Sequence, residues 1–235
     1  MFTILIPVYN EEDALPDLKE ALLDYFKISL VPTTVLFIND GSNDLSLELI
    51  KSYCSSNSNF KYISLETNAG LSAALKAGID YTESEYLGYI DADLQTKPED
   101  FNLLLDHIDS YHFITGIRSK RQDTVIKKLS SKTANKVRNW FTKDGLTDTN
   151  CPLKVIKTST AKEIPFFKGS HRFLPALVML KQVKVKALDI PHYKRTKGNS
   201  KFGISNRLTS SLLFCFIYLW IKRNTINYSI KERSL

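Results

Sequence analysis

The sequence predicts an α/β fold: a mostly parallel central sheet with helices on both of its faces. Through the first half, short β-rich runs alternate with amphipathic ones, in the order "FTILIP", "ALPDLKEALLDYFKI", "TTVLFI", "DLSLELIKSYC", "FKYISL", "GLSAALKAGIDY" and "YLGYI". Strand alternating with helix argues for right-handed βαβ units, each helix carrying the chain back over the sheet to a parallel neighbour. Size supports one core. The chain has 235 residues, 43% hydrophobic and 24% charged, enough for a single sizeable domain with an appendage.

"FTILIP" is the first strand. It lacks a basic leading region and turns polar within a handful of residues, unlike a signal peptide, so the catalytic part is expected in the cytosol. The strand runs of the first half end in polar segments: "PVYNEED", "NDGSND", "ETNAG" and "DADLQ". In a sheet of this kind ligands bind beyond the carboxyl ends of the strands, so a site is to be sought in those segments. Past "HFITGIR", the basic stretch "TVIKKLSSKTANKVRNWFTK" reads as helix and "GLTDTNCPLKVIK" as a turn into another strand. "RFLPALVMLKQ" reads as an apolar helix interrupted early by Pro175, and "VKVKALDIP" as a strand of strict alternation. No internal repeat or linker supports a second globular domain.

The net charge of +7 conceals a division. Residues before Arg118 carry 6 Lys/Arg and 19 Asp/Glu, a balance of −13, and the remainder carries 26 and 6, or +20. An acidic half suits a cation; a basic half suits phosphates, an anionic membrane or nucleic acid, or is merely a solvated surface. The chain has no helix-turn-helix, zinc or RNP signature, which argues against nucleic acid. Cys54, Cys151 and Cys215 are odd in number and far apart, which suggests a reducing compartment and no structural zinc.

Near the end, "LTSSLLFCFIYLWI" is apolar on every side of a helix and bounded by Arg207 and by Lys222 and Arg223. As a helix it measures about 21 Å, short of the roughly 20 residues that cross a bilayer. Its aromatic residues Phe214, Phe216, Tyr218 and Trp220 suit a helix lying in the headgroup region; packing against the core or a partner subunit is the alternative. The expected division is a catalytic domain over 1–207 and a membrane-associating segment over 208–235.

The chemistry centres on "YIDADLQTKPED", where a buried strand ends in Asp91 and Asp93. Capping of a helix that begins near Pro98 would explain two such carboxylates. So would a shared hard divalent cation, and Mg²⁺ or Mn²⁺ leaves positions open for a diphosphate.

"IPVYNEED", "NDGSND", "TNAGLSAALKAG" and "DADLQTKPED", in that order, resemble the family 2 glycosyltransferases with the GT-A nucleotide-sugar fold. "ITGIR", "SSKTANKV", "TDTNCPLKVI", "HRFLPAL" and above all "HYKRTKGNSKF" are similar to the polyprenyl-phosphate branch, which includes dolichyl-phosphate mannose synthase and bacterial undecaprenyl-phosphate sugar transferases. The resemblance covers roughly residues 2 to 207.

It implies that Pro7, Tyr9, Asn10 and Glu11 line the nucleotide base and ribose pocket, with a base contact from Asp40; Asn39 stands where the family usually has an acid. It implies a metal and diphosphate site at Asp91, Asp93 and Gln95, with Mg²⁺ or Mn²⁺ as cofactor. Arg118, Lys127 and Ser131 fall near the acceptor phosphate. His192, Arg195, Ser200 and Lys201 match a loop over donor diphosphate and acceptor phosphate, with Arg195 and Lys201 on the nucleotide sugar and His192 and Ser200 on the acceptor. Asp93, Arg118 and Arg195 would carry catalysis. Asp148 matches the acid of a D-x-x-S-G-F motif that continues here as "TNCP".

Taken singly, each residue has a plainer role: Asn10 or Asp13 as a helix cap, Gly41 and Gly70 as turn glycines, the basic loop as a nonspecific patch. Their conjunction in order favours the family.

The reaction implied is inverting transfer of a sugar from a UDP- or GDP-sugar to a polyprenyl phosphate at the cytoplasmic face of a membrane. The protein would be peripheral or monotopic there, with a membrane protein or a further copy of the chain as candidate partner and no nucleic acid. The rivals are transfer to a non-lipid glycan acceptor, a non-catalytic nucleotide-binding membrane module, and a sugar-phosphate nucleotidyltransferase. The last would normally open on a Gly-rich signature, which "IPVYNEED" is not.

Overall fold

The computed structural model describes residues 1–118, 135–193 and 206–226, with Glu232. Among them are seven strands: β1 Phe2–Val8, β2 Thr33–Asn39, β3 Phe60–Ser64, β4 Tyr86–Tyr89, β5 Phe113–Arg118, β6 Lys154–Lys157 and β7 Val185–Ile190. They form one sheet in the order β3-β2-β1-β4-β6-β5-β7. β1 pairs in parallel with β2 and β4, β2 with β3, and β5 with β7; β6 runs antiparallel to both β4 and β5.

The expected alternation is found through β4: α1 Leu15–Ile28, α2 Ser46–Ser56 and α3 Leu71–Tyr81 are the crossovers. They are followed by α4 Phe101–Leu105, a helix α5 over 135–142, α6 Thr158–Lys162, α7 Leu174–Met179 and α8 Asn206–Asn224. Pro175 does not interrupt a helix. A 3₁₀ turn at Ser170–Phe173 leads into α7, and the proline sits in its first turn, where its missing N–H leaves no bond unmade.

β1 is apolar at nearly every position because both of its faces are covered. Phe2, Ile4, Ile6 and Val8 pack with Leu15, Leu18 and Leu22 of α1 and Ile50 of α2. Leu5, with Ile38 of β2, faces the opposite layer, where Ala74 and Ile79 of α3, Leu177 of α7 and Cys215 and Tyr218 of α8 gather. Glycine is required where β4 crosses beneath this packing: a Cβ on Gly88 would lie 2.5 Å from the Phe2 ring.

The C-terminal helix is packed along one face and exposed along the other. Cys215 and Tyr218 are each 2% exposed, and Phe214 packs its ring on Phe167 and Phe173, so one face of α8 belongs to the core. Leu213, Phe216 and Trp220 on the other face stay about 60% exposed or more. No helix among the described residues is long and apolar enough to cross a membrane.

Candidate active site

The parallel register sets the ends of β1 and β2 side by side, Pro7 opposite Ile38 and Val8 opposite Asn39. The loops that follow are stitched together. Asn10 takes the left-handed conformation, φ 51°, which asparagine tolerates, and accepts from the Asn43 N–H at 2.7 Å while its own N–H donates to Ser42 Oγ at 3.0 Å. The Glu11 N–H donates to Ser46 Oγ at 2.9 Å, and across the same seam the Glu12 N–H donates to Asp44 Oδ2 while Glu12 Oε2 accepts from the Leu45 N–H. Neither Asn10 nor Asp13 caps α1, whose N-cap is Ala14 with no side-chain bond. Pro7, Tyr9, Asn10 and Glu11 thus share one half-buried rim with the β2–α2 loop.

Asp40 is 4% exposed and its carboxylate is heavily used: Oδ1 accepts from Ala69 N–H at 2.8 Å, Oδ2 from Gly70 N–H at 2.9 Å and from Asn68 Nδ2 at 3.1 Å. It therefore holds the β3–α3 loop against the rim, a structural task beside the base contact expected of it. Gly41 makes this approach feasible, since a Cβ there would lie 2.6 Å from the Asn68 nitrogen. Asn39 donates to Ser64 Oγ at 2.8 Å and accepts from Ser42 N–H at 3.2 Å. An amide does both with one side chain; an ionised aspartate could only accept.

The acidic pole follows β4. Tyr89 donates its hydroxyl to Asp91 Oδ1, and Asp93 Oδ1 accepts from the Gln95 N–H at 3.1 Å. Leu94 between them is left-handed at φ 54°, a conformation costly for a leucine and typical of functional turns. Burial pushes the Asp91 carboxyl up to about 6 and the charge of Asp93 adds to the rise, while the Tyr89 hydroxyl, Lys154 and Arg118 pull it back. The pair does not cap the helix near Pro98: Asp100 does, accepting from the Lys97 N–H at 3.1 Å. The Gln95 carbonyl instead accepts from the Tyr193 N–H at 3.0 Å, and Lys97 Nζ stands 4.5 Å over the Tyr193 ring. His192 is thereby brought beside the acidic loop.

The basic pole begins at the end of β5. Arg118 Nε donates to Asp148 Oδ2 at 2.7 Å and Nη2 to Oδ1 at 2.8 Å, with the side chains 11% and 6% exposed. Burial alone would lower the guanidinium, and the bonds to Asp148 outweigh it, so it is held above its ordinary value. Asp148 uses one edge of the fork; among the described residues nothing accepts from Nη1, which leaves that edge for an anion. The structure brings Asp91, Asp93, Gln95, Arg118 and His192 to one end of the sheet. Lys127, Ser131, Arg195, Ser200 and Lys201 lie outside the described residues.

Two groups escaped the sequence reading. Lys154 of β6 is 3% exposed, opposite Tyr89, with Nζ 5.7 Å over that ring and donating to the Cys151 carbonyl. Burial lowers its ammonium, and the acids around it, Asp148 and Asp91 among them, pull it back up. A lysine inside an apolar strand run, "PLKVI", was the available signal. His171 pairs Nδ1 with Ser72 Oγ at 2.8 Å, and that oxygen also accepts the N–H groups of Gly169 and His171. Ser72 must then donate its proton to Nδ1, which makes His171 a neutral ring; burial pushes it down to about 3, with Arg172 and Lys154 adding.

A mostly parallel α/β sheet, with a carboxylate pair after β4 and stitched loops after β1 and β2, is a fold of the GT-A type. The chain matches Glycosyl transferase family 2 over residues 3–170 and belongs to that family. It is 30% identical to an undecaprenyl-phosphate 4-deoxy-4-formamido-L-arabinose transferase of Pectobacterium atrosepticum, over 91% of this chain and 66% of that one. With a dodecaprenyl-phosphate galacturonate synthase of Rhizobium johnstonii it shares 27% identity over 94% of this chain and 68% of the other. The chain thus spans about two thirds of these relatives' length. Among solved structures, glucosyl-3-phosphoglycerate synthase from Mycobacterium tuberculosis, in complex with Mn²⁺, UDP-glucose and phosphoglyceric acid, matches 97% of this chain and 81% of that one. The TM-score is 0.69 at 11% identity, a likeness of fold.

Proposed function

We propose that the chain transfers a sugar, with inversion, from a UDP- or GDP-sugar to a polyprenyl phosphate at the cytoplasmic face of a membrane. The observation that carries this reading is the juxtaposition of an acidic and a basic pole: Arg118 at the end of β5 stands close enough to Asp91 at the end of β4 for each charge to act on the other. The similarity to relatives named for polyprenyl-phosphate acceptors supports the acceptor class.

The residues present fit a hard divalent cation. Asp91 and Asp93 offer oxygen; burial first and the charge of Asp93 second lift the Asp91 carboxyl, and a cation would offset both. Among the described residues no cluster of three or more His, Cys, Asp or Glu side chains surrounds them, so Gln95 and the donor diphosphate would complete the ligand set. Mg²⁺ or Mn²⁺ there would neutralise charge on the leaving diphosphate.

The chain's own residues position two anions. Pro7, Tyr9, Asn10 and Glu11 form the rim for base and ribose, kept in place through Asn10 and Glu11 by Ser42, Asn43 and Ser46. Arg118, oriented by Asp148, turns its remaining edge to the acceptor phosphate, and His192 flanks the same space. An acceptor phosphate oxygen attacks the anomeric carbon as the bond from that carbon to the diphosphate oxygen breaks. A phosphate monoester has a second pKa of about 6, so at neutral pH it needs no strong base, and positioning with charge neutralisation suffices.

The membrane contact is assigned to the segment 208–235, and the exposed face of α8 supports it. Phe216 stacks edge-on against Phe141 of α5, whose neighbour Trp140 is 74% exposed, so the apolar surface continues across two helices and is flanked by Lys136, Lys143, Lys222 and Arg223. A panel of UDP- and GDP-sugars, assayed for metal-dependent transfer to a short-chain polyprenyl phosphate in detergent, tests the reading. Transfer with at least one donor is expected; no transfer with any would sink it, and transfer to a free glycan instead would favour the soluble-acceptor rival.

A further inference from the structure

Beside the acceptor pole lies a buried ion pair that no motif marks. Arg138 of α5 and Asp144 in the loop after it join through Nη2 and Oδ1 at 3.2 Å, their side chains 8% and 1% exposed. Arg138 also donates from Nη2 to the Leu146 carbonyl at 2.6 Å, and from Nη1 to Asn135 Oδ1 at 2.9 Å and to Thr149 Oγ1. Asp144 accepts in addition from the Leu146 N–H and the Thr142 hydroxyl, both at 2.9 Å. Asn135 Nδ2 donates to the Thr147 carbonyl at 2.8 Å, and Asn139 Oδ1 accepts from the Gly145 N–H at 2.9 Å.

These bonds have one residue in their middle. Thr147 and Thr149, the two neighbours of Asp148, are each tied to α5, and Asp148 is the residue that grips the fork of Arg118. A buried ion pair is a weak source of stability, because apolar side chains of the same volume often do as well or better. What apolar packing does not supply is direction. Four bonds from one guanidinium fork, each to a different point of a loop or helix, leave that loop a single register.

We infer that Arg138 and Asp144 are positioning residues of the acceptor site: they hold the Leu146 backbone on one side of Asp148 and the Thr149 hydroxyl on the other, and so set the angle at which Arg118 meets the acceptor phosphate. The inference rests on the reading of Arg118 given above. The same knot reaches the apolar surface, since the Tyr218 hydroxyl of α8 donates to the Thr142 carbonyl at 3.4 Å. The loop that orients Arg118 and the helix proposed to face the lipid are thereby bonded through α5.

The double variant Arg138→Met/Asp144→Leu tests this, with Arg138→Lys as the conservative partner. The pair is replaced by apolar groups of similar volume, but the Leu146 backbone and the Thr142 and Thr149 hydroxyls lose partners, so Tm should fall and the kinetics are read at a temperature where circular dichroism shows the double variant folded. Its kcat/KM for a short-chain polyprenyl phosphate should fall about tenfold to a hundredfold, the scale of a misplaced reactant. The KM for the nucleotide sugar should stay within about twofold, because the donor rim is not touched, and Arg138→Lys should recover part of the loss. Donor-free titration with the same polyprenyl phosphate should show a weaker Kd to match. A folded double variant with wild-type acceptor kinetics and Kd would overturn the inference, as would equal losses for donor and acceptor. A wild-type protein that neither transfers to nor binds any polyprenyl phosphate would overturn the functional reading itself.

Discussion

The donor half and the acceptor half solve the same problem, holding loops at the end of a sheet, by different means. In the donor half the loops hold one another directly: Asn10 with Ser42 and Asn43, Asp40 with the backbone of residues 69 and 70. Every partner follows a strand of the parallel sheet. In the acceptor half Arg118 is held by a residue 30 positions away, on a loop that is held in turn by a helix between them. The first arrangement ties loops that the parallel sheet already sets side by side; the second spans 30 positions and needs a helix to hold the gripping loop.

The contrast is broken most directly at the acidic pole. Asp93→Ala removes one of two carboxylates proposed for the cation without disturbing the loops that Asp40 holds. It should lower kcat by about 10²- to 10³-fold, the usual scale for losing one group that stabilises charge in the transition state. A chelator should mimic the loss in wild type and Mn²⁺ should reverse it. Far-ultraviolet circular dichroism should be unchanged. An Asp93→Ala protein with wild-type kcat would remove Asp93 from the proposed cation site.

How much of this was legible in the sequence follows the same division. The strand–helix order, the four polar segments and the Asp91–Asp93 pair could be read because a parallel sheet places its site at strand ends, and strand ends are marked by where apolar runs stop. The antiparallel β6 could not be read so, because its four residues carry no sign of direction. Asp148 was noticed, yet its partner was not, since nothing in "DTN" says which distant arginine it meets. Lys154 stood in plain view inside an apolar run. Buried lysines are rare enough that such a run deserved a question the motif did not ask. Arg138 lay in a basic stretch that read as helix and Asp144 just after it, with nothing to mark either as buried, although both side chains are more than nine-tenths buried.

The seam between the halves is sharper still in its response to pH. His171, from the second half, is held by Ser72 at the start of α3, in the first, and the native ring stays neutral down to about 3. An unfolded histidine titrates near 6.5, so below that pH the unfolded state binds a proton that the native state refuses. This contribution to stability is complete above about 6.5 and is lost as pH falls towards 3. Between pH 7.5 and 5 the loss should be about 2 kcal/mol, from roughly 1.4 kcal/mol per pH unit. Urea unfolding at the two pH values measures it. His171→Gln keeps an acceptor for the Ser72 hydroxyl and should flatten that part of the profile; an equally steep profile in the variant would assign the acid sensitivity to other groups.

The smallest expected effect separates the two halves by their surfaces. Each exposes a large aromatic residue: Tyr81 on α3 is 73% exposed and Trp220 on α8 is 68% exposed. Exposure alone does not make a membrane face, because single exposed apolar residues are ordinary on soluble surfaces. Trp220 has Phe216 one turn before it and Lys222 and Arg223 just beyond, whereas Tyr81 closes a helix whose charged neighbours include Asp80, paired with Lys76. Removing an indole that enters the headgroup region forfeits on the order of 1–2 kcal/mol, less than full burial would give. Trp220→Ser should therefore weaken sedimentation with vesicles rich in anionic lipid by about tenfold, and added salt should weaken it further through the basic flanks. Tyr81→Ser should bind as wild type. If both substitutions reduce binding alike, the association is unspecific and α8 is a core helix with an ordinary exposed side; if only Trp220→Ser does, the apolar surface that begins at Trp140 is the face turned to the lipid.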